Sequence, residues 1–288
     1  MRVALIALVV SGLFTGVAVA GPRPMSAGAH PAPTTSAEIA VVREDLTIRV
    51  IGREARVDAR LQLRNLGATA KTQVGVPCER GIEPGVLALD CKTEIAVKVG
   101  GKRVRTAHKN KHRVWSLQLA GGAETELEVS YRTHLRDDKN PMASALGLLH
   151  YRLAPSAAWA GPIGELTMRV ELPTEAVMFI APAGYKRSLG VIEWNLRDVE
   201  PTSDLAILVH PFYSGRYLSA VASSVDRRAT ELRKLATDMK RDPARMVKTT
   251  TTLLSALGAG LGLPAAATGE IDATAAESIQ LIETAAGR

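Results

Sequence analysis

The stretch KRVRTAHKNKHR, residues 102–113, sets six basic side chains and two histidines within twelve positions and contains no acid. Lys102, Arg103, Arg105, Lys109, Lys111 and Arg113 would make a local positive field that draws anions. Read plainly, the stretch is a solvated connector between strands. Read functionally, it is an anion-binding patch for an anionic envelope polymer, a lipid headgroup or an envelope protein. A metal site is not expected there. His108 and His112 supply two ligands where zinc takes three or four, and six neighbouring positive charges oppose a divalent cation. Nucleic acid is not expected either, because no aromatic side chain is interleaved for stacking and no helix is available for a groove.

Other chemistry is sparse. The sequence holds no G-x-S-x-G elbow, no H-E-x-x-H and no phosphate loop, and the GAGLG run at 258 follows a helical pattern rather than a strand. No cofactor is expected. His134 with Asp137 and Asp138, and His150 beside Tyr151, bracket residues 136–147 and are the nearest material for acid–base catalysis. Cys78 and Cys91 stand thirteen positions apart with no Cys-x-x-Cys motif or adjacent histidine. In an oxidising compartment such a pair is most simply a disulfide, closing a loop at a gain of roughly 3 kcal/mol.

That compartment is indicated by the start of the chain. Arg2 precedes an uncharged apolar run that ends in Ala18-Val19-Ala20 before Gly21, the pattern of a signal peptide over residues 1–20. The protein is expected to be exported, periplasmic or extracellular, without a transmembrane anchor in the mature chain. Residues 21–37 are mostly Pro, Ala, Ser and Thr and read as a flexible tether. Without Arg2 the chain holds 35 basic and 29 acidic residues, an excess equal to the six basic residues of the opening stretch. The charge is therefore a local property, and the remainder is balanced.

The elements that would position these residues follow from periodicity. Ala55, Val57, Ala59, Leu61 and Leu63 alternate with Arg56, Asp58, Arg60, Gln62 and Arg64, as in an antiparallel strand covered on one face. The same period recurs at Leu46 to Val50, Ile95 to Val99, Trp115 to Leu119, Leu127 to Tyr131 and Leu166 to Leu172. Gly100-Gly101 reads as a two-residue hairpin turn, with Lys102 to Ala107 returning and His108 to His112 as the next connector. After Phe212 the period lengthens. Leu218, Val221, Val225, Leu232, Leu235 and Met239 mark a helix from about Tyr217 to Arg241. Asp242-Pro243 starts a second, and a short third is expected after Asp272. The uncharged tract from Thr249 to Gly269 is too rich in Thr, Ala and Gly for a membrane span. The expected fold is mainly β, an antiparallel β-sandwich, one large or two abutting, followed by a C-terminal α-helical segment. Its parts are a β-sandwich domain over 38–135, a second β-region over 148–212 packed on the first, and helices over 214–288.

Three segments, ARVDARLQLRNLGATAKTQVGVPC, VKVGGKRV and LAGGAETELEVSYRT, resemble in strand order the vault/inter-alpha-trypsin type of β-sandwich. HYRLAPSAAWAGPIGELTMRVELP and WNLRDVEPTSDLAILVHP are similar to exported bacterial proteins of unknown function. The resemblance covers residues 40–212 and transfers no functional residue. The sequence as a whole reads as an exported, non-catalytic envelope protein that binds or scaffolds another envelope component. The alternative is a hydrolase acting on an envelope polymer, with residues near the 136–147 loop.

Overall fold

A computed structural model describes residues 30–35, 38–51, 54–78, 93–134, 147–172, 177–188, 190–200, 204–209, 225–248, 250–252 and 268–286. Strands, numbered in chain order, form three sheets. The largest has the order β13 (Lys186–Ser188), β14 (Val191–Val199), β11 (Ile163–Glu171), β2 (Ile39–Ile51), β3 (Glu54–Asn65), β9 (Glu124–His134), β5 (Ile95–Val99), β6 (Lys102–Arg103). All its neighbours are antiparallel except β2 and β11, which run parallel. A four-stranded sheet has the order β1 (Ala32–Pro33), β4 (Ala70–Pro77), β8 (His112–Leu119), β7 (Ala107–Lys109), and a three-stranded one β10 (Gly147–Tyr151), β15 (Leu205–Val209), β12 (Val177–Ala181).

Alternation explains the layering. Leu46, Ile48, Val57, Leu61, Leu127 and Val129 of the large sheet are buried, as are Val74, Trp115 and Leu117 of the second sheet and Leu205 and Ile207 of the third. All of them join one hydrophobic core, so the architecture is the antiparallel β-sandwich expected from the sequence. Because β2 pairs with β11, strands from either side of residues 135–146 lie in the same sheet.

Helix α1 (Val225–Arg241) and helix α3 (Thr268–Ala286) pack together, and α3 packs on β12. Between them α2 starts at 243, where Asp242 Oδ1 accepts the Arg245 amide at 3.0 Å as an N-cap. Ile271, Thr274, Ala275, Ser278 and Ile282 form the buried stripe of α3, which begins four residues before the expected Asp272. Every residue of β12 is buried, since the core lies on one face and α3 on the other. That double cover is why Val177-Met178-Phe179-Ile180-Ala181 lacks alternation. The expected first residues of α1, with Leu218 and Val221, lie outside the described residues. Among the described residues no helix is long and apolar enough to cross a membrane.

Candidate functional site: an arginine-lined cleft

Two turns build the site. Gly100 and Gly101 both have positive φ, 55° and 75°, and Val99 pairs with Lys102, the geometry of a two-residue hairpin. The return strand is shorter than expected, however. Arg103 pairs with Lys98, the Val104 amide donates to the Val97 carbonyl, and residues 104–106 then cross from the large sheet to the four-stranded one. The expected connector from His108 to His112 is also corrected. It is a tight hairpin of β7 and β8 turning on Asn110 and Lys111, with φ 46° and 62°. His108 faces Arg113 and His112 faces Lys109, so the two imidazoles occupy opposite faces of the ribbon. His112 Nδ1 donates to the Asn110 carbonyl at 2.6 Å. Among the described residues no group of three His, Cys, Asp or Glu is placed to hold a metal ion.

The crossover borders a cleft of about 950 Å³. Arg103, Arg105 and Arg113 of the opening stretch line it together with Arg56 of β3 and Arg132 of β9. Glu94 is the single acid among the described lining residues, and Ala96 and Ser130 lie between the two groups of arginines. Lys102, Lys109 and Lys111 are exposed and do not line it. The patch read from the sequence is thus divided, with its arginines in the cleft and its lysines outside.

The solvent face of the large sheet gives the cleft its electrostatic character. Across most of this face, cations meet acids: Arg43 with Asp45, Arg60 with Glu126, Arg64 with Glu124, Lys98 with Glu128, and Arg169 with Glu171 and Glu193. Arg49 also binds Glu171, and its hydrogen bond, joined by that of Arg169, holds the Glu171 carboxyl down to about 2. At the cleft the acids run out. Arg49, Arg56 and Arg132 fall in one cross-strand row, with Arg56 held by Asp58 at 2.8 Å. Among the described residues Arg103, Arg105 and Arg132 make no ion pair. Like charges directly opposed across strands are unfavourable, and an anion between them relieves the repulsion.

The residues considered for catalysis are placed differently. His134 ends β9, its side chain is outside the described set, and so are Asp137 and Asp138. His150 is 1% exposed, and its Nε2 lies 3.1 Å from Asp204 Oδ2. Asp204 Oδ1 accepts the Leu153 and Ala154 amides at the start of a short 3-10 turn, Ala154–Ala158. Burial pushes the Asp204 carboxyl up, but these hydrogen bonds outweigh it and hold the group below its ordinary value. Tyr151 is fully buried, which raises its hydroxyl well above the usual range.

Sequence reading missed a second buried pair. His30 Nε2 lies 2.7 Å from Glu44 Oε1, and both side chains are fully buried, with the His30 ring edge-on to Tyr151. The tether expected through residue 37 is therefore ordered in part. His30, Pro31, Ala32 and Pro33 are buried, β1 pairs with β4, and Trp159 Nε1 donates to the Pro31 carbonyl at 3.2 Å. A bulge between Val41 and Arg43 turns Glu44 inward. It shifts the buried parity of β2 from Ile39 and Val41 to Glu44, Leu46, Ile48 and Val50. Cys78, fully buried directly after β4, is not a free thiol. Cys91 lies outside the described residues.

No family model and no curated protein matches the sequence. Among solved structures the chain is similar to a protein of Legionella pneumophila provisionally named a nutrient binding protein, at 16% identity over 90% of this chain and 98% of that one, with a TM-score of 0.54. It is also similar, more distantly, to an M1 zinc metallopeptidase of Deinococcus radiodurans, at 15% identity over 62% of this chain and 43% of that one, TM-score 0.39. Yeast LTA4 hydrolase is at the same TM-score of 0.39, with 12% identity over 68% and 35%. The first likeness establishes a shared fold.

Proposed function

We propose that the protein is an exported, non-catalytic binding protein of a bacterial envelope, and that its arginine-lined cleft holds an anionic ligand. The observation that carries this reading is the local exhaustion of acids. Most arginines of this sheet face are matched by acids, whereas Arg103, Arg105 and Arg132 around one cleft make no ion pair among the described residues. Guanidinium forks bind carboxylate and phosphate oxygens bidentately, which makes arginine the fitting side chain for the lining. The volume, about 950 Å³, lies at the upper end of small-molecule sites. The name given to the Legionella pneumophila protein is in keeping with ligand binding. His30–Glu44 and His150–Asp204 are buried and do not line the cleft, so their histidines serve packing rather than turnover. The strand order resembling the vault/inter-alpha-trypsin type belongs to this reading as a non-adhesive sandwich, since the sequence has no Asp-x-Ser-x-Ser.

Isothermal titration of the chain from Gly21 onward with inorganic phosphate and citrate tests it, with choline and glucose as cationic and neutral controls. The anions are expected to bind, and more weakly as salt is raised. The variant Arg103→Gln/Arg105→Gln/Arg132→Gln should lose at least tenfold in affinity, while Lys109→Gln/Lys111→Gln should bind as the parent does. Loss in the lysine variant with none in the arginine variant would transfer the site to the hairpin tip.

A further inference from the structure

We infer that the cleft is one end of a longer basic track and that its ligand is a linear polyanion, which leaves the cleft and runs on along the β7–β8 hairpin; the inference rests on the binding role proposed above. The two surfaces are continuous. Arg105 and Thr106 line the cleft, and Ala107 directly after them begins β7. Arg113 also lines the cleft and is the β8 partner of His108. Lys109 and Lys111 then stand at the far end of the same hairpin, around the turn on Asn110 and Lys111. All three residues of β7 are exposed, as are Asn110 and Lys111, so this ribbon stands clear of the sandwich core.

No negative charge interrupts this path in the sequence, since residues from Ile95 to Ala123 include no acid. Among the described residues Lys109 and Lys111, like Arg103 and Arg105, make no ion pair. Lys98, on the ordinary solvent face of the large sheet, is by contrast tied to Glu128 at 3.0 Å. Shape then selects the partner. A single oxyanion is satisfied by the arginines and gains nothing from lysines on the ribbon beyond them. A flat lipid surface meets a projecting tip but cannot enter a concave cleft. A flexible chain of anionic groups engages both. Guanidinium forks hold its oxyanions in fixed geometry inside the cleft. Ammonium groups, which act as point charges on flexible stems, follow it along the ribbon without a set register. The division of the opening stretch into arginines within the cleft and lysines at the hairpin tip is the division such a ligand requires.

Titration calorimetry of the chain from Gly21 onward compares orthophosphate with short and long fractions of linear inorganic polyphosphate, at several salt concentrations. The long fraction is expected to bind at least tenfold more tightly than orthophosphate and to weaken more steeply with salt, because more ionic contacts are made. Lys109→Gln/Lys111→Gln should cost the long fraction about tenfold in affinity and flatten its salt dependence, while orthophosphate binds as to the parent. Lys71→Gln/Lys186→Gln removes the same charge from exposed positions off the track, on β4 toward the opposite end of β8 and on the outermost strand β13. That variant should bind every probe as the parent does. Equal loss in the two lysine variants would reduce the effect to net charge and overturn the track, as would a long fraction indifferent to Lys109 and Lys111. In both cases binding of orthophosphate would leave the anion-binding cleft standing. Lysine-dependent binding to phosphatidylglycerol vesicles, with no preference for longer polyphosphate, would replace the polymer by a membrane surface. Binding of neither orthophosphate nor polyphosphate would overturn the track and the cleft together.

Discussion

A buried carboxylate beside a buried imidazole is costly to desolvate, so the His30–Glu44 pair holds together only because each group completes the other. Among the described residues His30 Nδ1 and Glu44 Oε2 have no hydrogen-bond partner, which leaves the pair little reserve. Removing one member strands the other in the core. Glu44→Ala should therefore lower unfolding stability by about 3–5 kcal/mol in urea titration, the usual result of breaking a buried pair. The double replacement His30→Phe/Glu44→Leu should cost distinctly less, since no polar group is then left without a partner. A Glu44→Ala variant within about 1 kcal/mol of the parent would show that the pair contributes nothing, in contrast to the general behaviour of such pairs. Neither residue announced itself in the sequence. His30 sits in a Pro- and Ala-rich stretch, and Glu44 occupies what strict alternation from Ile39 and Val41 would make a solvent position.

At the scale of elements, alternation was legible wherever one face of a strand is covered and the register unbroken, as in β3, β8 and β9. It failed where geometry is set by something other than period. The bulge in β2 inverts the alternation after Val41, and Gly164 of β11 accommodates it, since a Cβ there would stand 2.6 Å from the Val42 carbonyl oxygen. Nothing in the sequence fixes register, so Arg56 and Arg132 read as two solvent-facing arginines on separate strands. Only pairing puts them opposite each other. The Gly100-Gly101 turn was legible because two consecutive positive-φ residues demand glycine. The second turn was not, because Asn110 and Lys111 carry side chains. The two cysteines belong to this scale as well. Cys78 directly follows β4, and we propose that it pairs with Cys91 in the exported chain. Intact mass of protein recovered from the envelope should show a start at or near Gly21 and a loss of two hydrogens, reversed by reductant. Two alkylatable thiols without reduction would refute the bridge.

For the whole molecule, the C-terminal helices complete a sandwich that would otherwise be left open on one side. β12 has apolar side chains on both faces, and α3 covers the outer one with Ile271, Ala275 and Ile282. Ser278 Oγ lies 2.5 Å from the Val177 carbonyl, and Arg187 Nη1 donates to Ser278 at 2.9 Å, so helix and sheet are also joined by polar contacts. α1 lies on α3 with Met239 and Ala236 buried, and Lys240 pairs with Glu283. The apolar face of α1 is thus satisfied within the chain, at least in its second half, and no second copy is needed to bury it. Each large apolar side chain exposed by removing these helices forfeits about 1.5–3 kcal/mol of burial. The exposed patch would also be contiguous, which favours aggregation over a tolerated surface. A chain lacking residues 214–288 should retain β-type circular dichroism, melt at lower temperature and aggregate at concentrations where the parent stays monomeric by light scattering. A truncated chain as soluble as the parent, together with a free 214–288 segment that turns helical only when concentrated, would mean that the helices associate with each other across copies instead.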